Sequence, residues 1–201
     1  MARTNRYLLL GALLAAVAVP VAAQSFSEGF TFLKAVRERD GATAERILSN
    51  PSSTAVNIRD TATGESALHI LVRGRDSGWL NYMLARNARP DAASNDGTTP
   101  LILAAQIGWL DGAQSLLARG ANPNLGNSRG ETPLILAVQR RDLQMVRLLL
   151  AGRADPNQTD NMSGNSAIDY ARQDNRAAAI LRELEQVRTP RAPAISGPPR
   201  N

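Results

Sequence analysis

The sequence GTTPLILAA occupies residues 97–105, and the related sequence GETPLILAV occupies residues 130–138. Weaker versions of the same phrase are ESALH after Gly64 and NSAID after Gly164. The glycine that opens each version recurs at spacings of 33, 33 and 34 residues. A fixed period of this length indicates a stack of short structural repeats in which each repeat packs on its neighbours.

The start of the repeat encodes a short helix. Thr99 is suited to cap that helix through its hydroxyl, and Pro100 fits the first helical position, where a missing N–H costs nothing. We expect Leu101, Ala104 and Ala105 to face inward, because leucine fills a core and alanine lets helices approach closely. The phrase therefore predicts the inner helix of a packed pair.

The second half of the repeat encodes an outer helix. Gly108 is predicted to end the inner helix, residues 110–118 to form the outer one, and Gly120 to adopt a positive φ at its end. The same half carries the phrases LLARGANPN at residues 116–124 and LLAGRADPN at residues 149–157. Helices of about nine residues are unstable alone in water, so stacking must bury their apolar faces.

These phrases resemble the ankyrin repeat, in which G-x-T-P-L-H-x-A-A precedes a leucine run and then G-A-x-x-N. The resemblance runs from Gly29 to Gln186. It implies an all-α solenoid of paired antiparallel helices with hairpin-like fingers, and full repeats at residues 64–96, 97–129 and 130–163. It also implies a protein that binds other proteins on the concave side of the stack.

Degenerate repeats at both ends are predicted to cap the solenoid, over about residues 29–63 and 164–187. Residues 29–50 are expected to form a helix pair, and residues 176–186 a last helix with a polar outer face of Arg182, Glu183 and Gln186. Residues 188–201 contain four prolines and no apolar period, so we predict a disordered tail.

The first 23 residues have the three parts of a secretory signal peptide. Arg3 and Arg6 give a basic start, residues 7–19 form an apolar run of 13 residues, and Val21-Ala22-Ala23 offers small residues for a signal peptidase. The apolar run is shorter than the about 20 residues of a membrane span. We expect a mature chain of residues 24–187 plus the tail, located in the periplasm or secreted, with no membrane span.

Charge and cysteine content exclude several function classes. The net charge of +5 is explained by Arg3, Arg6, Arg188, Arg191 and Arg200, which leaves 18 basic and 18 acidic residues between positions 24 and 185. A neutral body argues against nucleic acid as the partner. With no cysteine, the chain has no disulfide, thiol nucleophile or zinc-thiolate site.

Motifs of catalysis are weak in this sequence. Residues 126–130 spell G-x-S-x-G, but they straddle a repeat boundary instead of a strand-to-helix elbow. The single histidine, His69, precedes Ser128 by 59 residues, and we assign it a structural hydrogen bond to the loop. One histidine builds no multi-histidine metal site. We expect no enzyme activity, no cofactor and no metal.

The repeat also aligns the positions that face the concave side in ankyrin repeats. They come from the ends of the inner helices, from the fingers and from the turn after an inner helix, where an exposed Trp109 would anchor a partner. The predicted partner-binding residues are Arg73, Asp96, Gln106, Ile107, Trp109, Arg129, Gln139 and Arg140.

The outer helices give a second expectation about packing. Trp79 and Gly112 occupy the same repeat position in neighbouring repeats. A large side chain beside a glycine suggests that Trp79 is a core residue packed on the helix that contains Gly112.

The function implied by the resemblance is a non-enzymatic scaffold that recognises a partner protein. A narrower alternative is a dedicated inhibitor, chaperone or protector of one periplasmic enzyme, with a role in stress defence. We expect a monomer, and the sequence does not name the partner, because repeat folds specify the scaffold and leave the bound surface free to vary.

The signal-peptide hypothesis makes a direct prediction. N-terminal sequencing of the protein from its native host should give Gln24 as the first residue, because Ala23 ends the cleavage motif. A membrane-bound species that retains residues 7–19 would contradict cleavage.

Overall fold

A computed structural model describes residues 21–50 and 53–188, so the basic start and apolar run of the leader and residues 189–201 of the tail lie outside the described residues. Two 3-10 turns, Ala55–Asn57 and Asn175–Ala177, accompany the α-helices of this part of the chain. The α-helices are α1 (Val21–Glu38), α2 (Gly41–Leu48), α3 (Ala67–Arg73), α4 (Ser77–Ala85), α5 (Pro100–Ile107), α6 (Leu110–Ala118), α7 (Pro133–Gln139), α8 (Leu143–Ala151), α9 (Ala167–Gln173) and α10 (Ala178–Arg188).

The helices form an all-α solenoid of antiparallel pairs. The odd-numbered helices are the inner ones and stack on each other in order, and the outer helices α4, α6, α8 and α10 stack behind them. Each of the helices α3, α5, α7 and α9 buries one aliphatic residue at the same repeat position: Leu68, Leu101, Leu134 and Ile168. The core is thus a continuous aliphatic column with few aromatic side chains, as the composition requires.

The inner helices begin and end as the repeat phrase predicts. The Thr99 hydroxyl accepts a hydrogen bond from the Ile102 N–H at 3.2 Å, and Pro100 is the first residue of α5. Gly108 follows α5 with a φ of 66°, and Gly120 follows α6 with a φ of 84°. The predicted caps, helix bounds and left-handed glycines of this repeat are therefore confirmed.

Before each inner helix the chain forms a tight finger. Four fingers, at residues 60–65, 94–98, 127–131 and 160–165, are each closed by a backbone hydrogen bond between their ends. Each later finger also donates a backbone hydrogen bond to the finger before it: Asn95 to Thr63 at 2.9 Å, Ser128 to Asp96 at 2.8 Å and Asn161 to Arg129 at 2.8 Å. The fingers are therefore joined into one continuous row.

The periodic glycine is needed where two fingers meet. Gly97 has a φ of 79°, and a Cβ at this position would lie 2.9 Å from the backbone nitrogen of Ser128. Gly164, in the last described finger, has a φ of 68°, but nothing in the described chain lies within 4 Å of its Cβ position. The first three periodic glycines thus meet two requirements, and Gly164 meets only the requirement for a positive φ.

An asparagine in the segment after an outer helix links each of two repeats to the next one. The Asn124 side chain donates to the carbonyl of Arg153 at 3.2 Å and accepts from the N–H of Asp155 at 2.7 Å. Asn57 makes the same pair of bonds to Asn87 and Arg89 one repeat length later in the chain. This geometry gives a physical reason for the asparagine that closes the repeat phrase.

The residue found against Gly112 is Trp109, and the predicted core role of Trp79 is confirmed only in part, since Trp79 packs on the core while staying half-buried. The atoms closest to a Cβ at Gly112 would belong to the ring of Trp109. Trp79 is only half-buried, and its ring lies 3.3 Å from the Cβ position of Gly41, in the preceding helix pair. Repeat alignment identified a large residue beside a small one, but Trp109 folds back onto its own helix and occupies the place assigned to Trp79.

The ends of the solenoid are single helix pairs. Helix α1 begins at Val21, so the predicted cleavage point after Ala23 lies in its first turn, and α10 continues through Arg188, the residue at which we placed the start of the tail. On α10, Arg182 and Gln186 are exposed, whereas Glu183 accepts hydrogen bonds from Arg147 at 2.7 and 2.9 Å. Within the described ranges, no helix is long and apolar enough to cross a membrane.

The two roles of glycine predict unequal costs of adding one methyl group. Gly164→Ala should cost about 1 kcal/mol, because only the left-handed backbone is strained. Gly97→Ala should cost about 2–4 kcal/mol, because the new Cβ also pushes the next finger away. Urea denaturation of both variants measures the difference, and equal losses would contradict the close contact between fingers.

The packing of Trp109 on Gly112 predicts a strong coupling between these two residues. Gly112→Ala alone should cost about 1–3 kcal/mol, because its Cβ collides with the indole ring. In a Trp109→Asp background the ring is gone, so the same alanine should stabilise α6 by about 0.5–1 kcal/mol. A double-mutant cycle in urea measures this change of sign, and an alanine that destabilises both backgrounds equally would contradict the contact.

Candidate partner-binding groove

Two neighbouring depressions lie between the fingers and the inner helices. One encloses about 270 Å³ between the first and second fingers. The other encloses about 130 Å³ between the second and third fingers. Both are lined by Asp96, Thr98 and Gln106, so they form one surface that we call the groove.

The floor of the groove is apolar. Leu103 of α5 lines one depression and Leu136 of α7 lines the other, with 7% and 9% of their surfaces exposed. Sequence analysis missed both residues, because a leucine within an inner helix is indistinguishable by type from a core leucine. Their exposed edges give the groove a small apolar contact area beneath polar walls.

Arg73 stands at the rim of the first depression and is held by Glu65. Its two terminal nitrogens donate to the two carboxylate oxygens at 2.5 and 3.1 Å. The hydrogen bond from Arg73 lowers the pKa of Glu65, and the same bond raises the pKa of Arg73. More than half of the Arg73 side chain stays exposed, so the pair adds little to stability and leaves the guanidinium in reach of a partner.

Asp96 shapes the second finger. Its carboxylate accepts from the Ser94 hydroxyl at 2.5 Å and from the N–H and hydroxyl of Thr98 at 3.1 and 3.0 Å. The hydrogen bond from Ser94 is the main reason that the pKa of Asp96 is lowered. Asp96 therefore carries a negative charge between the two depressions and keeps the finger in a fixed shape.

Arg129 stands at the rim of the second depression. Its guanidinium donates to one oxygen of Glu131 at 2.7 and 3.0 Å. The amide of Asn127 donates to the same oxygen at 2.7 Å. As at Arg73, an exposed arginine is oriented by the carboxylate of a finger residue, so the groove contains pairs of opposite charge.

His69 links helix α3 to the second finger, which forms one wall of the groove. Its Nδ1 accepts a hydrogen bond from the Ser66 N–H at 3.1 Å, and its Nε2 lies 2.9 Å from the carbonyl of Thr98 in the next finger. Burial lowers the pKa of His69, so the ring is neutral with its proton on Nε2. The predicted structural hydrogen bond of this histidine to the loop is confirmed.

The predicted binding residues divide into two groups. Arg73, Asp96, Gln106 and Arg129 lie together in the groove. The other four line neither depression: Ile107, Trp109, Gln139 and Arg140.

Trp109 does not serve as an exposed anchor. Only 6% of its surface is accessible, because the ring folds over Gly112 at the start of α6. The expectation that a tryptophan at this turn anchors a partner is therefore wrong. Ile107 is half-buried, while Gln139 and Arg140 are exposed.

The G-x-S-x-G serine has a structural partner. The Ser128 hydroxyl donates to the carbonyl of Asp96 at 2.6 Å, and Ser128 lies in a finger. Within residues 21–50 and 53–188, no group of three or more histidine, aspartate or glutamate side chains is placed to hold a metal ion. The groove offers hydrogen-bonding and apolar contacts, and its charged side chains are already bonded to residues of the fingers.

A family model described as ankyrin repeats (3 copies) matches residues 32–127. A second, described as ankyrin repeats (many copies), matches residues 116–171. The two matches overlap and together span most of the helical solenoid, from the end of α1 into α9. With its stacked helix pairs, its row of fingers and these matches, the chain belongs to the ankyrin-repeat family.

Proposed function

We propose that this protein is a non-enzymatic scaffold of the periplasm or extracellular space that binds a partner protein in the groove. Ankyrin repeats generally mediate protein–protein interaction, which supports a protein as the ligand. The observation that carries the proposal is the groove itself, in which polar, oriented side chains rise above exposed leucine edges.

The construction of the groove suits protein binding. Backbone hydrogen bonds join neighbouring fingers at 2.8–2.9 Å, so the wall is formed before a partner arrives. A preorganised surface loses little conformational freedom on binding, which favours affinity. The carboxylates that hold these arginines are largely covered, while the guanidinium groups stay exposed for hydrogen bonds to a partner's backbone and polar side chains.

The side chains that would serve catalysis are committed to structure. His69 is buried and bonded at both ring nitrogens, and the Ser128 hydroxyl is bonded to a backbone carbonyl. A nucleophile needs a base within hydrogen-bond reach. The partners that these two residues have instead support binding without chemistry.

The location is part of the proposal. The basic start, the apolar run and the small residues at positions 21–23 support export. The absence of cysteine from the whole chain suits an oxidising compartment, where free thiols are oxidised. The partner should then be a protein of the same compartment.

Crosslinking tests the groove in the native host. A photoreactive amino acid replaces Gln106, at the junction of the two depressions, or Gln114, an exposed glutamine on the outer helix α6. We expect irradiation to give a protein adduct from position 106 and none from position 114, because only the former lies in the groove.

The adduct partner then allows a matched affinity test. Gln106→Trp should weaken its binding at least about tenfold, which corresponds to about 1.4 kcal/mol, because the indole fills the groove. Gln114→Trp makes the same change on an outer helix and should leave binding unchanged. Adducts from position 114 alone would place the partner on the outer helices, and adducts from neither position would overturn the proposal.

A further inference from the structure

The turns between inner and outer helices repeat an Arg-Asp pair. Arg39, Arg75 and Arg141 end their turns with a positive φ of 59°, 51° and 57°. The aspartate that follows each arginine caps the next outer helix: Asp40 accepts from the N–H of Thr43, Asp76 from that of Trp79, and Asp142 from that of Met145. The carboxylates thus lie in a row along one edge of the solenoid, with an arginine beside each.

Arginines of this edge reach forward to the acid of the next turn. The Nε of Arg39 lies 3.8 Å from a carboxylate oxygen of Asp76. Arg141 donates a hydrogen bond to the carboxylate of Asp174. At both steps, the positive charge of one repeat is balanced by the cap of the following repeat.

The pattern is interrupted after Arg75. The next turn has Trp109 where the others have aspartate, and Trp109 begins α6 without a side-chain cap. Arg75 instead donates to the backbone carbonyl of Ile107 at 2.6 Å. The guanidinium has lost the carboxylate that the repeat pattern provides elsewhere.

A second guanidinium reaches the same turn from the other side. The Nη2 of Arg140 lies 2.9 Å from the Cβ position of Gly108, the residue after Ile107. Among the residues that the structure describes, neither Arg75 nor Arg140 forms an ion pair, and Asp111 at the start of α6 bonds to neither. Two exposed arginines, one from the repeat before and one from the repeat after, therefore flank one turn whose residues Gly108 and Trp109 include no acid.

We propose that Arg75 and Arg140 together bind a carboxylate side chain from an acidic segment of the partner protein. This inference rests on the proposed function and names one chemical feature of its partner. Guanidinium groups match carboxylates through paired hydrogen bonds, and both arginines reach the same turn, Arg75 at the carbonyl of Ile107 and Arg140 beside Gly108. The partner's carboxylate takes the place that an aspartate at position 109 would have filled.

The surroundings favour a short acidic segment over a long polyanion. Glu65, Asp96 and Glu131 line the nearby groove, and residues 24–185 carry as many acidic as basic residues, 18 of each. A nucleic acid would meet these carboxylates as soon as it extended beyond the turn. One or two carboxylates at the turn avoid that repulsion.

NMR of the full chain from its native host tests the site with defined probes. The first probe is a ten-residue serine peptide with two adjacent glutamates, and the second has glutamines in their place. At low salt the guanidinium signals of Arg75 and Arg140 should shift saturably with the glutamate peptide alone. Equal shifts with the glutamine peptide, or none with either, would overturn the proposal.

Variants separate this site from general basicity. The double change Arg75→Gln and Arg140→Gln should weaken peptide binding at least about tenfold. Arg46→Gln removes one charge from an exposed arginine on α2 and should change affinity by less than about twofold. Trp109→Asp removes no basic residue, but it supplies Arg75 with an internal carboxylate and should also weaken the peptide. Unaltered binding in both the double variant and Trp109→Asp would contradict the site.

Two further results distinguish the possible failures. Inorganic phosphate that displaces the peptide at equal concentration would mark a site for free anions and overturn an acidic protein segment as the occupant. An undiminished adduct from position 106 in the double arginine variant would also overturn the inference, while leaving the groove in place. Peptide binding without any adduct from position 106 would support the arginine site and defeat the groove.

Discussion

The stack depends on how closely the backbone of one finger approaches the glycine of the finger before it. At Gly97 even a single carbon would lie 2.9 Å from the nitrogen of Ser128, a distance that leaves no room for a side chain. This approach lets Ser128 donate its N–H to Asp96, and the same geometry recurs at the neighbouring fingers. The fingers therefore form one hydrogen-bonded wall. The groove has a fixed shape because no finger can move without breaking the backbone hydrogen bond to its neighbour.

Because the wall is built from backbone, its side chains are left to define the binding surface. Glu65 pairs with Arg73 and Glu131 with Arg129, so the groove has no strong net field. Such a surface selects a partner by the arrangement of hydrogen bonds over the leucine floor more than by long-range attraction. The turn at Ile107 and Gly108 differs from the groove, because the two arginines beside it have no carboxylate partner among the described residues and attract negative charge.

The repeat period predicted the helices, their caps and the left-handed glycines, since these follow from local chemistry that recurs in each copy. Thr99, Pro100 and Gly108 each act within a few residues of their own position. The pairings of Arg73 with Glu65 and of Trp109 with Gly112 were not predicted, because they depend on side-chain directions that alignment of the repeats does not contain. Trp79 and Gly112 occupy the same position in successive repeats, which suggested a contact between them. The ring that lies on Gly112 is instead that of Trp109, the residue just before α6.

Trp109 stands at the position that is aspartate in the other turns. This difference affects both the stability of the repeat and the chemistry of its surface. The exchange removes a helix cap, which costs α6 about 1 kcal/mol, and it buries an aromatic ring that offsets this loss. The ring in turn requires a glycine at position 112, although glycine weakens a helix interior. The same exchange also leaves Arg75 without its carboxylate. An aspartate at this position would cap the helix and balance the arginine at once. With tryptophan there instead, the ring is buried on Gly112 and Arg75 stays exposed at the turn without a carboxylate partner among the described residues.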